Sequence, residues 1–252
     1  MMKTAYRVFA RRVFQLRPKR RDAAAFALAR RRLALTRFSS RAVVILAGSC
    51  VLPPLAYAGT QQYEPLARSV RTALSASVAD ASPPKIHIAD IKTRLAYLEW
   101  LGEMSERLKK QIPDYRTRRE FLETVYYEAK RAGLEPALVL GLIQVESGFH
   151  KHAVSKAGAR GYMQVMPFWA ELIGSGDARA LFNMQANVRF GCVILRHYLD
   201  RDAGDLFRTL GRYNGSLGEA HYPNIVLGAW KKWEYEPQAA LQIAPKSHPA
   251  PD

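Results

Sequence analysis

The sequence predicts a mainly α-helical chain, and three observations predict it. Apolar residues recur at three- and four-residue steps through several segments between residues 90 and 233. No run of strand length alternates apolar and polar residues with a period of two. Asp90 and the pair Glu135-Pro136 stand where such segments begin, and Ile112-Pro113 and Gly133 stand where they end. No internal repeat is present.

The chain opens on a basic leader. Residues 1–41 hold thirteen Lys/Arg against the single acid Asp22, so +12 of the formal net charge of +16 lies there. The remainder is only mildly basic. The runs Arg17 to Arg21 and Arg30-Arg31-Arg32 admit a nucleic-acid reading. The alternative is an extended secretory signal or a start codon placed too early, and it is preferred. A basic segment just before an apolar run faces the inner side of a membrane, so no nucleic-acid partner is expected. The apolar run is Ala42 to Leu52, broken by Pro53-Pro54 and followed by Ala56-Tyr57-Ala58 before Gly59. That small-x-small pattern is a signal-peptidase site. The run falls short of the ~20 apolar residues that a membrane span needs. Residues 1–58 are therefore expected to be a basic leader and signal peptide, which places the mature chain in the periplasm or cell envelope.

Cys50 lies in the apolar run, and Leu46-Ala47-Gly48-Ser49-Cys50 is close to a lipoprotein attachment site, with Ala47 where a Leu is usual. Cys192 is then alone after cleavage and is expected to be a buried thiol that behaves as a small hydrophobe.

Residues 59–89, rich in Ala, Ser, Thr and Gln, read as a flexible linker with at most a short helix. Residues 90–112 read as an amphipathic helix capped by Asp90. Its stripe is Ile91, Leu95, Leu98, Leu101, Met104, Leu108 and Ile112, expected to lie on the domain that follows. Residues 113–235 form that domain. Phe121, Leu122, Val125 and Ala129 share one helix face. A second helix opens at Pro136, where a missing N–H costs nothing, and runs through Leu138, Val139, Leu142 and Ile143 to Glu146. A glycine-containing loop leads to Pro167. Further helices are expected over about 183–199, 204–213 and 222–233. Residues 236–252, with four prolines, read as a disordered tail.

Glu146 lies three residues after Ile143 and four after Leu142, on the apolar stripe of its own helix. Burial favours the protonated form of a carboxyl group, which is what a general acid needs near neutral pH. From position alone, a Glu turned outward at a fraying helix end is an equal alternative.

The neighbourhood decides between them. Glu146-Ser147-Gly148-Phe149 is followed by Ala153-Val154-Ser155, then by Gly158-Ala159-Arg160-Gly161-Tyr162-Met163-Gln164-Val165-Met166-Pro167. Asn187 and Gly191 come next, and then Tyr213-Asn214-Gly215. In order and spacing this resembles the soluble lytic transglycosylase-like family over about residues 118–233. Gly161-Tyr162-Met163-Gln164 stands for the family's G-L-M-Q. Tyr213-Asn214-Gly215-Ser216 stands for Tyr-Asn-Ala-Gly, with its Gly one place early. The Glu-Thr-x-x-Tyr stretch of many members is absent, and His221-Tyr222-Pro223 supplies only its tyrosine.

The resemblance implies a lysozyme-like (goose-type) α domain that cleaves the β-1,4 bond between N-acetylmuramic acid and N-acetylglucosamine. It implies Glu146 as acid and then base, giving 1,6-anhydro ends. It implies that Ser147, Ser155, Gln164, Met166, Tyr213, Asn214 and Tyr222 line the glycan cleft. The residues themselves leave core packing open for Met163 and Met166, and a loop-fixing role open for Asn187 and Asn214. No Asp or Glu occurs between Glu146 and Glu171, where a water-activating carboxylate of a hydrolase could sit. No cofactor is expected. His150 and His152 have no third ligand nearby and no H-E-x-x-H occurs, so no metal is expected either. The expected partners are peptidoglycan glycan strands, with cell-envelope or secretion machinery as candidate protein partners of a monomer. The competing readings are a goose-type lysozyme-like hydrolase and a catalytically silent glycan-binding module.

Overall fold

Short polar side chains start four of the helices. Asp90, Asp114, Asn183 and Asp205 each accept a hydrogen bond from a backbone N–H three residues on, at 2.8–3.0 Å, a contact that stabilises a helix start by about 1 kcal/mol. The computed structural model describes residues 61–79, 86 and 88–238. The chain divides into two units, Met1–Val51 and Leu52–Asp252, and every described residue belongs to the second. The leader, the apolar run, the cleavage site and the tail beyond residue 238 lie outside the described residues.

The described residues are mainly α-helical, as expected. The helices are α1 (Arg68–Val78), α2 (Ile91–Leu108), α3 (Tyr115–Arg131), α4 (Pro136–Ser147), α5 (Pro167–Ile173), α6 (Met184–Arg201), α7 (Leu206–Asn214) and α8 (His221–Trp233). A 3-10 turn, Ala178–Phe182, joins α5 to α6. Among the described residues, strand pairing is limited to isolated bridges of Arg160 with Val154 and Val165. No described helix is long and apolar enough to cross a membrane.

Helix α4 is the centre of the domain. Leu138, Val139, Leu140, Leu142 and Ile143 are all buried, although they point in every direction around its axis, which is the pattern of a helix enclosed by others. Its most extensive contact is with α8. Gly141 makes that approach possible: a Cβ there would stand 2.6 Å from the Trp230 backbone nitrogen and 2.7 Å from its Cα. Gly141→Ala must push α8 away, a cost of about 1–3 kcal/mol for overpacking. A thermal melt should fall by about 2–4 °C for each kcal/mol, and an unchanged melting temperature would refute the tight crossing.

Two expectations are corrected. In α2, Ile91, Leu95 and Leu98 are exposed, while Tyr97, Trp100, Met104 and Leu108 are buried. The first half of the helix turns its aromatic residues inward because Tyr97 and Trp100 pack against Tyr126 of α3, at 4.7 and 5.0 Å between ring centres. Aromatic area outweighs the aliphatic stripe there. The flexible linker expected over 59–89 is also not what residues 61–79 form. Their helix α1 packs on α5 and α6, with Val78 buried and Leu66 and Leu74 against the core. Ala- and Ser-rich composition hides these few apolar anchors.

Two internal ties hold the frame. Arg118, 4% exposed, closes the α2–α3 turn by donating to Ser105 Oγ and to the carbonyls of Ile112 and Pro113 at 2.7–2.9 Å. Arg189 of α6 donates through Nε and Nη2 to Glu128 Oε1 of α3 at 2.8 and 2.5 Å. Cys192 is free and fully buried, as expected. Burial, and then the Glu128 charge, push its thiol well above the ordinary range.

Candidate active site

Glu146 occupies the last turn of α4 and has no exposed surface. Gly148 ends the helix in the left-handed conformation, with φ of 55°, the usual glycine device for stopping a helix. Phe149 is left-handed too, at φ 68°, a conformation a bulky residue rarely adopts. Its ring is held edge-on against Phe121 and Trp233, at 6.0 and 5.4 Å. The chain therefore leaves Glu146 on a sharply turned, packed corner.

The loop after that corner is tied to α6. Gly161 N donates to Ala153 O, and Arg160 and Val165 exchange two backbone hydrogen bonds of 3.0 Å. Asn187 receives Met163 N–H at 2.8 Å and donates to the carbonyls of Arg160 and Leu181, also at 2.8 Å. Two glycines make room for this. A Cβ on Gly161 would stand 2.4 Å from Asn187 Nδ2, and one on Gly191 would stand 2.3 Å from Met163 Sδ. Asn187 thus does what its type allowed: it fixes a loop backbone. Met163 is core.

Tyr222, on α8, brings its hydroxyl to Glu146 and donates to Oε1. Burial first, and then the Glu146 charge and that hydrogen bond, raise the Tyr222 phenol well above its ordinary value. It therefore remains a donor across the working pH range. Tyr213, on α7, has no exposed surface and donates to Met163 O at 2.8 Å. Burial, and then the Glu146 charge, raise its phenol likewise. The carboxylate that bears on both tyrosines is Glu146.

The other expected cleft residues divide. Met166 is half-buried at the start of α5. Ser147 donates to Ile143 O at 3.2 Å within its own helix. Ser155, partly exposed, accepts from Ala159 N at 3.0 Å. Gln164 is 2% exposed, left-handed at φ 47°, and spends its amide on the carbonyls of Ala153 and Gly161. Asn214 ends α7, and Gly215 after it is left-handed at φ 84°. The glycine that stands one place early is the one that stops the helix.

Gln61 carries no signal in the sequence, yet it reaches this site. Its side chain is 4% exposed and its Oε1 accepts Met166 N–H at 3.2 Å. Elsewhere, a cavity of about 360 Å³ opens between α1 and α6 beside Leu74, Arg131 and His197, and none of its lining residues surrounds Glu146. Among the described residues no group of three His, Cys, Asp or Glu is placed to hold a metal.

Residues 123–224 match the family described as Transglycosylase SLT domain. This stretch is similar to an SLT domain. It runs from within α3 to the first turn of α8, and so spans Glu146, the loop, Asn187, Tyr213 and Tyr222. Among similar proteins, a membrane-bound lytic murein transglycosylase C of Actinobacillus pleuropneumoniae (serotype 5b, strain L20) is 31% identical over 154 residues, covering 52% of this chain and 41% of that one. A transglycosylase of Enterobacteria phage PRD1 is 33% identical over 103 residues, covering 41% of this chain and 37% of its own. The chain thus spans about two fifths of the length of the curated relatives it matches. A solved structure of an inactive mutant of lytic transglycosylase Slt from Pseudomonas aeruginosa is 20% identical, with a TM-score of 0.36, covering 59% of this chain and 28% of that one. Helices α1 and α2 and residues 61–67 lie outside the matched stretch.

Proposed function

We propose that this protein is a peptidoglycan lytic transglycosylase of the bacterial envelope, with Glu146 as its acid and then its base. The observation that carries the reading is a fully buried carboxyl group at the end of an apolar helix, met by the Tyr222 hydroxyl, inside the stretch similar to an SLT domain. In the first step the Glu146 proton passes to the oxygen leaving the muramic C1, and the C1–O bond breaks. The substrate's own acetamido group stabilises the positive centre. In the second step Glu146, now a carboxylate, takes the proton of the muramic C6 hydroxyl, and O6 bonds to C1. The proton returns to Glu146, no water is consumed, and the 1,6-anhydro ring is closed. A single carboxyl serves both steps, in contrast to the paired carboxylates of most glycosidases. Tyr222, held protonated, orients Glu146 throughout. Ser155 and Met166, which are only partly buried, are the residues assigned to contact the glycan, and the buried Tyr213, Gln164 and Asn214 the ones assigned to support the cleft.

The expected product is a set of fragments with 1,6-anhydromuramic ends and no solvent oxygen. Mass spectrometry of walls digested in ¹⁸O-labelled water reads this directly. Reducing ends carrying the label mean a lysozyme-like hydrolase, and intact walls mean a silent binding module. Envelope location belongs to the same proposal: exported material should begin near Gly59 on N-terminal sequencing, and an intact leader on all of it contradicts export by a cleaved signal.

A further inference from the structure

Residues 61–67 belong to no helix or strand, and their side chains grip three places around the proposed cleft. Gln61 accepts Met166 N–H at the start of α5 and stands beside the Tyr213 hydroxyl. Tyr63 lies edge-on against Phe168 at 5.7 Å. Glu64 pairs with Arg201 at the end of α6 and, at 3.4 Å, with Arg212 on α7. Gln61 thus seats against Tyr213, whose phenol feels the Glu146 charge, and with the chain so arranged Glu146 has no exposed surface for a glycosidic oxygen to reach. Some part must move before a strand binds.

The remaining walls are poor candidates for that motion. Helices α4 and α8 are the most tightly joined pair in the domain, and the 153–165 loop is tied to Asn187 by two hydrogen bonds. The segment is held far more lightly. Tyr63 is 61% exposed, and the Glu64 pairs are partly exposed, where solvent and salt weaken them. The Gln61 carboxamide offers a carbonyl acceptor and an N–H donor, the same pair that an acetamido group of a glycan carries.

We propose that residues 61–64 form a self-occluding strap, seated by Gln61, Tyr63 and Glu64, which an N-acetylated glycan displaces on entering the cleft. The proposal rests on the reading that this cleft takes peptidoglycan. On the cleavage site proposed above, Gln61 is the third residue of the mature chain, so the strap lifts from near a free end without bending a loop.

The test compares the exported chain with its Tyr63→Ala/Glu64→Ala variant, each with and without Glu146→Gln. Both strap substitutions are at the surface, and a thermal melt checks that the fold is kept. On the Glu146→Gln background, calorimetry with the β-1,4 tetramer of N-acetylglucosamine should show tighter binding in the strap variant. If the closed form holds nine-tenths of the molecules, the gain is about tenfold. Exchange of the Met166 amide hydrogen should quicken in the same variant, and with Glu146 intact walls should be cut faster. Equal or weaker tetramer binding overturns the strap, and does so while leaving the function intact if the parent still yields anhydro ends. Tighter binding with no cutting by either chain supports the strap and removes the enzymatic reading instead. Gln61→Ala is the second variant: it should also tighten binding, whereas a loss of affinity would make Gln61 part of the glycan site and overturn occlusion.

Discussion

Glu146→Gln should lower the rate of wall lysis by about two to four orders of magnitude, the contribution of a well-placed acid or base. No neighbour can replace the lost carboxyl. The adjacent acids along the chain are Glu135 and Glu171. Glu135 precedes the first residue of the same helix, eleven residues away, which is roughly 16 Å along the axis at a rise of ~1.5 Å per residue. Glutamine has nearly the same shape and keeps an acceptor for the Tyr222 hydroxyl, so the fold should hold and its melt should match the parent's. Binding to insoluble peptidoglycan should survive as well. The measurements are lysis rate, thermal melt and a pull-down on walls. A variant that melts and binds normally and still cuts at the parent's rate would return Glu146 to a structural role.

The largest expected effect on stability lies elsewhere, at Arg189→Met. Arg189 and Glu128 are 1% and 2% exposed, and they join α6 to α3. Removing the guanidinium leaves a buried carboxylate whose other partner is Arg131, at 3.2 Å. Breaking one side of a buried pair costs about 3–5 kcal/mol. At about 2–4 °C for each kcal/mol, the melting temperature should fall by roughly 10 °C. Replacing both partners, as Arg189→Met/Glu128→Met, should recover most of that loss, because no charge is then left buried. Asn187 stands two residues before Arg189 and holds the loop beside Glu146, so the single variant should also lose activity at lower temperatures than the parent. Single and double variants that melt alike would show that the charge pair is not what couples α6 to α3.

The helices that carry the site were legible because their signals are local. Pro136 starting α4 and Asp90 capping α2 act within a few residues of where they stand. The place of Glu146 on an apolar stripe left a buried and an outward side chain equally open; the motif order from Glu146 to Tyr213 favoured the buried one and pointed to the family that the comparison found over residues 123–224. The aromatic inward turn of α2 was not legible in the same way. Tyr97 and Trp100 fall off the aliphatic stripe, and only the position of Tyr126 on another helix gives them a place to pack.

What the tertiary structure alone decided is which side chains meet at Glu146. Tyr222 is 76 residues away in sequence, and its hydroxyl arrives there because Gly141 lets α8 lie close against α4. Tyr213 and Gln164 turned out to spend their polar atoms on backbone carbonyls. Residue type permits that role and contact with a glycan equally, and only the direction of the side chain separates the two. Gln61 is the extreme case: it lies 105 residues before Met166, in a stretch whose composition reads as linker. Local chemistry determines where a helix starts and which of its faces is apolar. Contacts between distant parts of the chain depend on how closely those faces approach, and that is settled by the packing of the whole domain.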